Sequence, residues 1–538
     1  MKIFLLRKWI SIALIGCFSF ASTANAADRN APVATEVMTS EAGSAEPENF
    51  VPQFLNTVPE PAEERIKQRE RFLDRNHGAG KFHDVQIDNH GASPNTDTNA
   101  SPQPGTETNI NSVNPSVPGT FSMFRRKTLA PGLSSDVNEP SHANSGRYVW
   151  YTGNWYAARS TDNASTWTYV DPYADFPDFC CDQDVIHDPG RDILIWYRQG
   201  VQRADGSNNI KIGVSKDGGA TFTQYTVNYT NWGGLPLGWF DYPQLAVSNN
   251  YLWITSNYFN TNGSFQRMIL TKISLDQLQA GGSLSWTYWS RTTGWSWAPT
   301  QGASDIMYIG DHTNASVFNI CKQPENNSTL SCFDIAVPAW TPTGRGSAVC
   351  TTPNGMNPCA RLDQRVNVGW LKESEASAGQ HVLGFFWTVA QGGGFPYPYV
   401  NAIAVDAQTL VPLPGSQGRP YIWNTSGAFV YGGAAPNKRG ALGISTWFIG
   451  GGSYPTLYAG IDDDYNGQPP GWEIAYVAGS DSVNNSRWGD YTRVRSFSPT
   501  VGVWSVSGHT TNAGIQVPRY ANFGRDRDIE SWRRFRSK

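Results

Sequence analysis

Charge is scarce in this 538-residue chain. Asp, Glu, Lys and Arg make up 16% of it, and its basic residues form no long run. A nucleic-acid partner is therefore not expected, because phosphate recognition needs a concentrated basic surface. Cys and Met are also few, at seven and six. No Cys/His spacing resembles a zinc site. The main apolar run, Trp9 to Phe20, is too short to span a bilayer comfortably, so no transmembrane helix is expected. Helical periodicity is almost missing; Ser274 to Gln279 suggests a short helical turn and Glu60 to Arg75 a short charged helix.

What is present begins with an export signal. Lys2, Arg7 and Lys8 precede the apolar run, and Ala24-Asn25-Ala26 is an A-x-A cleavage site, so residues 1–26 are expected to be removed. Leu14-Ile15-Gly16-Cys17 also has the form of a bacterial lipobox, which makes lipid anchoring through Cys17 the alternative to a secreted or periplasmic protein. The formal charge of −4 becomes three units more negative without the three basic residues of the signal. Six cysteines remain, an even number that favours disulfides in an exported chain. Cys321 with Cys332 and Cys350 with Cys359 are the simple local pairs. The adjacent Cys180 and Cys181 form a vicinal bridge, stay as thiols, or pair elsewhere.

Residues 27–118 are rich in Pro, Ser, Asn, Thr, Glu and Ala, and poor in aromatics. Their composition predicts a mostly disordered linker. From 119 to 530 the pattern changes to short β-rich runs separated by Gly, Asn, Asp and Pro clusters, and 531–538 is a basic tail. Aromatics are abundant, with 21 Trp, 23 Tyr and 25 Phe. Most are expected in a β core, with some left to line a groove. The runs Tyr148 to Tyr151, Asp192 to Tyr197, Tyr251 to Ser256, Val382 to Trp387, Leu442 to Phe448 and Gly502 to Ser507 read as second strands of successive units. Several units open alike: Glu139-Pro140-Ser141-His142, Asp182-Gln183, Asp241-Tyr242, Asp363-Gln364 and Asp490-Tyr491, with Asp311-His312 in a less clear register. Seven units are counted, with six the alternative. The run Phe121 to Thr128 is placed to complete the last one.

Ser215-Lys216-Asp217-Gly218-Gly219-Ala220-Thr221-Phe222 has the pattern S-x-D-x-G-x-T-F. Ser160 to Trp167 repeats it with Ala164 in place of Gly. In such a turn Ser and Asp side chains bond the backbone and Gly supplies φ > 0. With these boxes and the repeated units, the chain resembles the sialidase-like, or BNR-repeat, propellers over nearly all of Phe121 to Asp528. The resemblance implies an all-β, seven-bladed (alternatively six-bladed) β-propeller of four-stranded antiparallel blades, with the boxes on outer hairpins. It also implies carbohydrate chemistry at the axis. Sialidases use an arginine triad whose first member lies in an F/Y-R-I-P motif; Phe124-Arg125-Arg126-Lys127 occupies roughly that place without Ile-Pro. Arg361, Arg365, Arg493 and Arg495 are further arginines able to cluster.

The acidic openings should converge on a propeller axis. Asp182, Asp241, Asp363 and Asp490, with Tyr242, are the candidate catalytic residues. Glu139, Arg365, Tyr491 and Arg493 are the candidate substrate-binding residues. The bland alternative is that each acid bonds a neighbouring backbone. His142, His187 and His312 are expected to be packed or hydrogen-bonded. Asp462, Asp464, Asn466 and Glu473 have the D-x-D-x-N-G-x5-E spacing of a calcium loop, so a structural Ca²⁺ is weighed against an acidic hairpin turn. These features together predict a monomeric, secreted glycoside hydrolase acting on an extracellular glycan or glycoconjugate, with no organic cofactor. A non-catalytic glycan- or protein-binding propeller and a polysaccharide lyase are the alternatives.

Overall fold

The computed structural model describes residues 31–57, 107–108, 119–129, 139–343, 346–374, 379–463, 472–484 and 488–534. The signal, Cys17 and most of the expected linker lie outside them. Strands dominate, as the short alternating runs require. The helical turn expected at Ser274 to Gln279 is Leu275–Ala280, which Ser274 caps by accepting from the Gln277 amide and Gly281 ends in a left-handed conformation; the expected helix at Glu60 to Arg75 lies outside the described residues.

The strands form four- and five-stranded antiparallel sheets and one of eight strands. The eight-stranded sheet is two antiparallel groups joined by a short parallel pairing, Thr300 with Gly369 and Gln301 with Trp370. Taking those groups apart, seven antiparallel groups follow one another among the described residues. Their first strands are Ser141–Ser145, Phe179–Asp188, Gly238–Val247, Ala298–Gln301, Val366–Glu373, Ala428–Pro436 and Arg493–Ser496. Each first strand touches the next, and Arg493–Ser496 touches Ser141–Ser145, so they close a cycle. Large side chains fill the space between neighbouring groups, among them Trp150, Trp196, Trp253, Trp289, Trp370, Trp387, Trp447 and Trp504, all nearly or fully buried.

Phe121–Thr128 pairs with Ile515–Arg525, so the last group takes its outer strand from the segment just before the first group. Within the expected linker, four short strands differ from the reading of an unstructured segment. Glu36–Thr39 pairs with Thr329–Ala336, Glu41–Ala45 with Leu284–Arg291, Glu48–Phe50 with Phe222–Val227, and Phe54–Leu55 with Thr168–Val170. This belt crosses the outer edges of four successive groups in reverse order. The edges supply its order: each offers a row of unpaired backbone groups, which a polar segment can satisfy without a core of its own.

The two S-x-D turns both join third and fourth strands, away from the cycle. Asp217 accepts from the Ala220 and Thr221 amides at 2.9 Å, and Gly219 donates to Ser215 Oγ at 2.8 Å. Asp162 accepts from Ser165 and Thr166 at 2.9 Å, and Ala164 donates to Ser160 Oγ at 2.8 Å. Asn163 and Ala164 take φ of 56° and 59°, doing what Gly218 and Gly219 do in the intact copy. The same bonds therefore form without the glycine.

Cys321 pairs with Cys332, Cys350 with Cys359, and Cys180 with its neighbour Cys181. Three such pairs suit an oxidising environment. Among the described residues no helix is long and apolar enough to cross a membrane.

Candidate active site

One end of the cycle gathers the candidate residues, because they start or precede first strands. Four of those strands bulge there, Val366–Glu373 doing so between Val366 and Val368. Phe179 pairs with Gly200 and Gln183 with Arg198, leaving Cys180, Cys181 and Asp182 opposite Gln199 alone. Asp241 pairs with Asn257 and Gln244 with Thr255, leaving Tyr242 and Pro243 over. Val430 and Gly433 bracket Tyr431 in the same way. Cys181, Tyr242 and Tyr431 all have positive φ, at 76°, 52° and 56°. Left-handed residues other than Gly cost about 1–3 kcal/mol each and gather at functional sites.

The acids, tyrosines and arginines form one connected network. Arg365 meets Asp363 at 2.6 Å and Asp490 at 2.8 Å, and stacks 4.1 Å over the Tyr242 ring. Arg493 stacks 4.1 Å over Tyr491, and the two tyrosine rings meet edge to face at 6.1 Å. Gln199 donates to Asp241 at 2.9 Å. Asn154 donates to Glu139 at 2.7 Å and accepts from its amide at 2.6 Å. Glu139 and Asp182 lie within electrostatic reach of Tyr491, and Asp182 and Asp241 within that of Tyr197.

Burial sets the electrostatics. It pushes the Asp241 carboxyl upward, and Asp490 adds to this; the Gln199 bond and Arg365 offset it only in part. Burial likewise pushes the Tyr242 and Tyr491 phenols up, despite the nearby arginines. Burial works against the Arg365 charge, yet Asp363 and Asp490 overcome it and hold the guanidinium well above its usual range.

Beneath this face lies a plug. Asp184 is fully buried, with Arg495 at 2.8 Å, Arg493 at 3.4 Å and the Ser141 hydroxyl at 2.6 Å. Arg495 also donates to Gln301 and to the Val185 carbonyl. Burial and the neighbouring Arg493 bring Arg495 down to about 10, with Asp184 opposing them. At the far ends of the same seven strands opens a cavity of about 600 Å³, lined by Asn144, His187, Ser248, Gln301, Glu373, Asn437 and Ser496.

The opening acids Glu139, Asp182, Asp241, Asp363 and Asp490 therefore meet, together with Tyr242, Tyr491, Arg365 and Arg493. Asp311 does not join them: it sits on a second strand, Ile306–Asn314, and pairs with Arg291. Arg125 lies on an outermost strand, 5.5 Å from the Trp532 ring, and cannot serve as a first triad arginine at the axis. His142 bonds Ser505 at 2.7 Å, His187 bonds Asp192 at 2.9 Å, and His312 packs among Phe318, Trp340 and Trp387. Asp184 and Gln199 were missed. The alternation Asp182-Gln183-Asp184 carries the signal for the first, since period two places both acids on one face.

Of the expected calcium ligands, Asp464 and Asn466 lie outside the described residues. Asp462 holds Lys372 at 2.6 Å and Glu473 holds Arg525 at 2.6 Å, while Arg525 also grips Asp463. Asp462 and Glu473 are thus each paired with a cationic side chain.

No family model matches the sequence, and no curated protein does. Solved structures that match include an α-L-arabinofuranosidase, Arb93A, from Fusarium graminearum, at 9% identity and TM-score 0.34 over 73% of this chain and 94% of that one. The NanB sialidase from Streptococcus pneumoniae matches at 10% identity and TM-score 0.32, over 75% of this chain and 70% of that one. A six-bladed fungal lectin from Aleuria aurantia matches at 13% identity and TM-score 0.31, over 64% of this chain and 97% of that one. At such scores the likeness carries no argument about fold or activity.

Proposed function

We propose that the chain is a secreted glycoside hydrolase built as a seven-bladed propeller, cleaving an extracellular glycan at its acidic axial face. The closed cycle of seven first strands supports the blade count. One observation carries the chemistry. Asp241 has its carboxyl pushed up by burial, in the same network as two carboxylates held on Arg365. Two carboxyl groups with different environments are the elements of general acid and base, or acid and nucleophile. Asp241 takes the acid role, delivering its proton to the leaving oxygen. Asp363 or Asp490 takes the other. Arg365 and Arg493 orient these groups, and their commitment to Asp363, Asp490 and Asp184 leaves them poorly placed to grip an acidic sugar.

The tyrosines argue against a lyase or a tyrosine nucleophile, because phenols pushed up by burial are reluctant to ionise. A binding propeller is the second reading. It is favoured by the buried Asp184 plug, which closes the axis below the face. A glycan-release screen with wild type, Asp241→Asn and Asp490→Asn separates the two. Hydrolysis gives product from wild type and little from Asp241→Asn, while Asp490→Asn tells whether Asp490 or Asp363 takes the second role. Retention of a glycan without release by all three sinks the hydrolase.

A further inference from the structure

The bulge that presents Asp182 is closed by a bond between neighbours. Cys180 and Cys181 are joined, both are buried, and Cys181 is held at φ 76°. A bond between adjacent cysteines closes a small ring through their peptide link, so that link loses its freedom to turn. The ring sits against Trp155, Tyr173, Phe176, Phe179, Trp239 and Phe259. Packing therefore fixes it from outside while the bond fixes it from within.

What the ring controls follows from the register. Three residues stand opposite Gln199, and the third is the half-exposed Asp182. Gln199 is itself the residue that donates to Asp241. One bulge thus governs two acids, one directly through the chain and one through its partner strand. Tyr242 and Tyr431 keep positive φ in their bulges without such a bond, so here the bond adds to packing in holding a residue other than glycine left-handed.

We propose that the Cys180–Cys181 bridge is a positioning device for the acidic face. It holds Asp182 out of the ladder and Gln199 under Asp241. The cysteines touch no reacting atom. The inference rests on the acidic face being the site, and glycan release tests that reading separately.

Carboxyl footprinting with a water-soluble carbodiimide and an amine tests it without a substrate. The chains compared are wild type, Cys180→Ala/Cys181→Ala and Cys180→Ala/Cys181→Gly, the last of which tolerates positive φ. Modification of Asp182 and Asp241, mapped by peptide mass, is expected to rise about tenfold in both variants as local opening becomes easier. Asp217, on its distant hairpin, serves as the control and is expected to stay unchanged. Equal labelling of Asp182 and Asp241 in all three chains overturns the proposal. So does a parallel rise at Asp217, which marks general loosening. Where the screen finds a product, the variants should also shift its pH profile; an unmoved profile with a lowered amount of folded protein counts against positioning.

Discussion

Asp184 and Arg495 form an ion pair 2.8 Å apart, with both side chains almost wholly buried. Burial alone raises an aspartate, but Arg493 and Arg495 reverse this and hold Asp184 below its usual range. A depressed carboxyl contributes stability above its unfolded value and loses it as pH falls through the folded one. Asp184→Asn keeps the shape and strands two arginines, so it should cost about 3–5 kcal/mol near neutral pH. Urea denaturation checks this, with the gap between variant and wild type narrowing in acid. Equal midpoints at neutral pH would remove the plug from the list of structural determinants.

Asp241 behaves in the opposite sense. Its raised carboxyl keeps the proton to higher pH than an ordinary aspartate, so acid catalysis should decline as pH rises through that value. Asp241→Asn is expected to lower glycan release by about 10²–10⁴-fold, the usual contribution of a positioned acid. Rate against pH, once a substrate is found, is the check. A profile without an alkaline limb, or a variant with normal rates, contradicts the role given to Asp241.

The repeated openings were legible because each stands at a change from turn residues to an apolar run. Asp182, Asp241, Asp363 and Asp490 could be picked out singly, and closing the strands in a cycle brings them together. Their partners were not legible. Arg365 reaches Asp490 across 125 positions, and no local pattern encodes such a pairing. The belt was hidden for the same reason: Glu36–Thr39 gains its order from Thr329–Ala336, nearly three hundred residues later. Composition described that segment in isolation, where it has too little apolar surface to order itself.

The belt can be broken at one residue. A Cβ at Gly43 would stand 2.2 Å from the Trp286 Nε1 and 2.4 Å from the Asn231 carbonyl oxygen. Gly43→Val therefore forces Glu41–Ala45 off its edge or displaces a buried tryptophan, at about 1–3 kcal/mol. Limited proteolysis should then cut within residues 36–55 at protease levels that spare wild type. Identical digestion patterns would show that the belt is not held by that contact.

Calcium can be tested at the other end of the chain. Lys372 occupies Asp462 Oδ2, and Arg525 spans Asp463 and Glu473. Burial raises the Glu473 carboxyl, with Arg525 opposing it. A divalent ion on Asp462 would have to displace an ammonium at 2.6 Å. We therefore expect the melting midpoint to be the same with EDTA as with added calcium. By contrast, Arg525→Gln should destabilise the fold by about 3–5 kcal/mol, because it removes the buried cation that bonds both Asp463 and Glu473. A midpoint that falls in EDTA and recovers with Ca²⁺ would overturn this expectation.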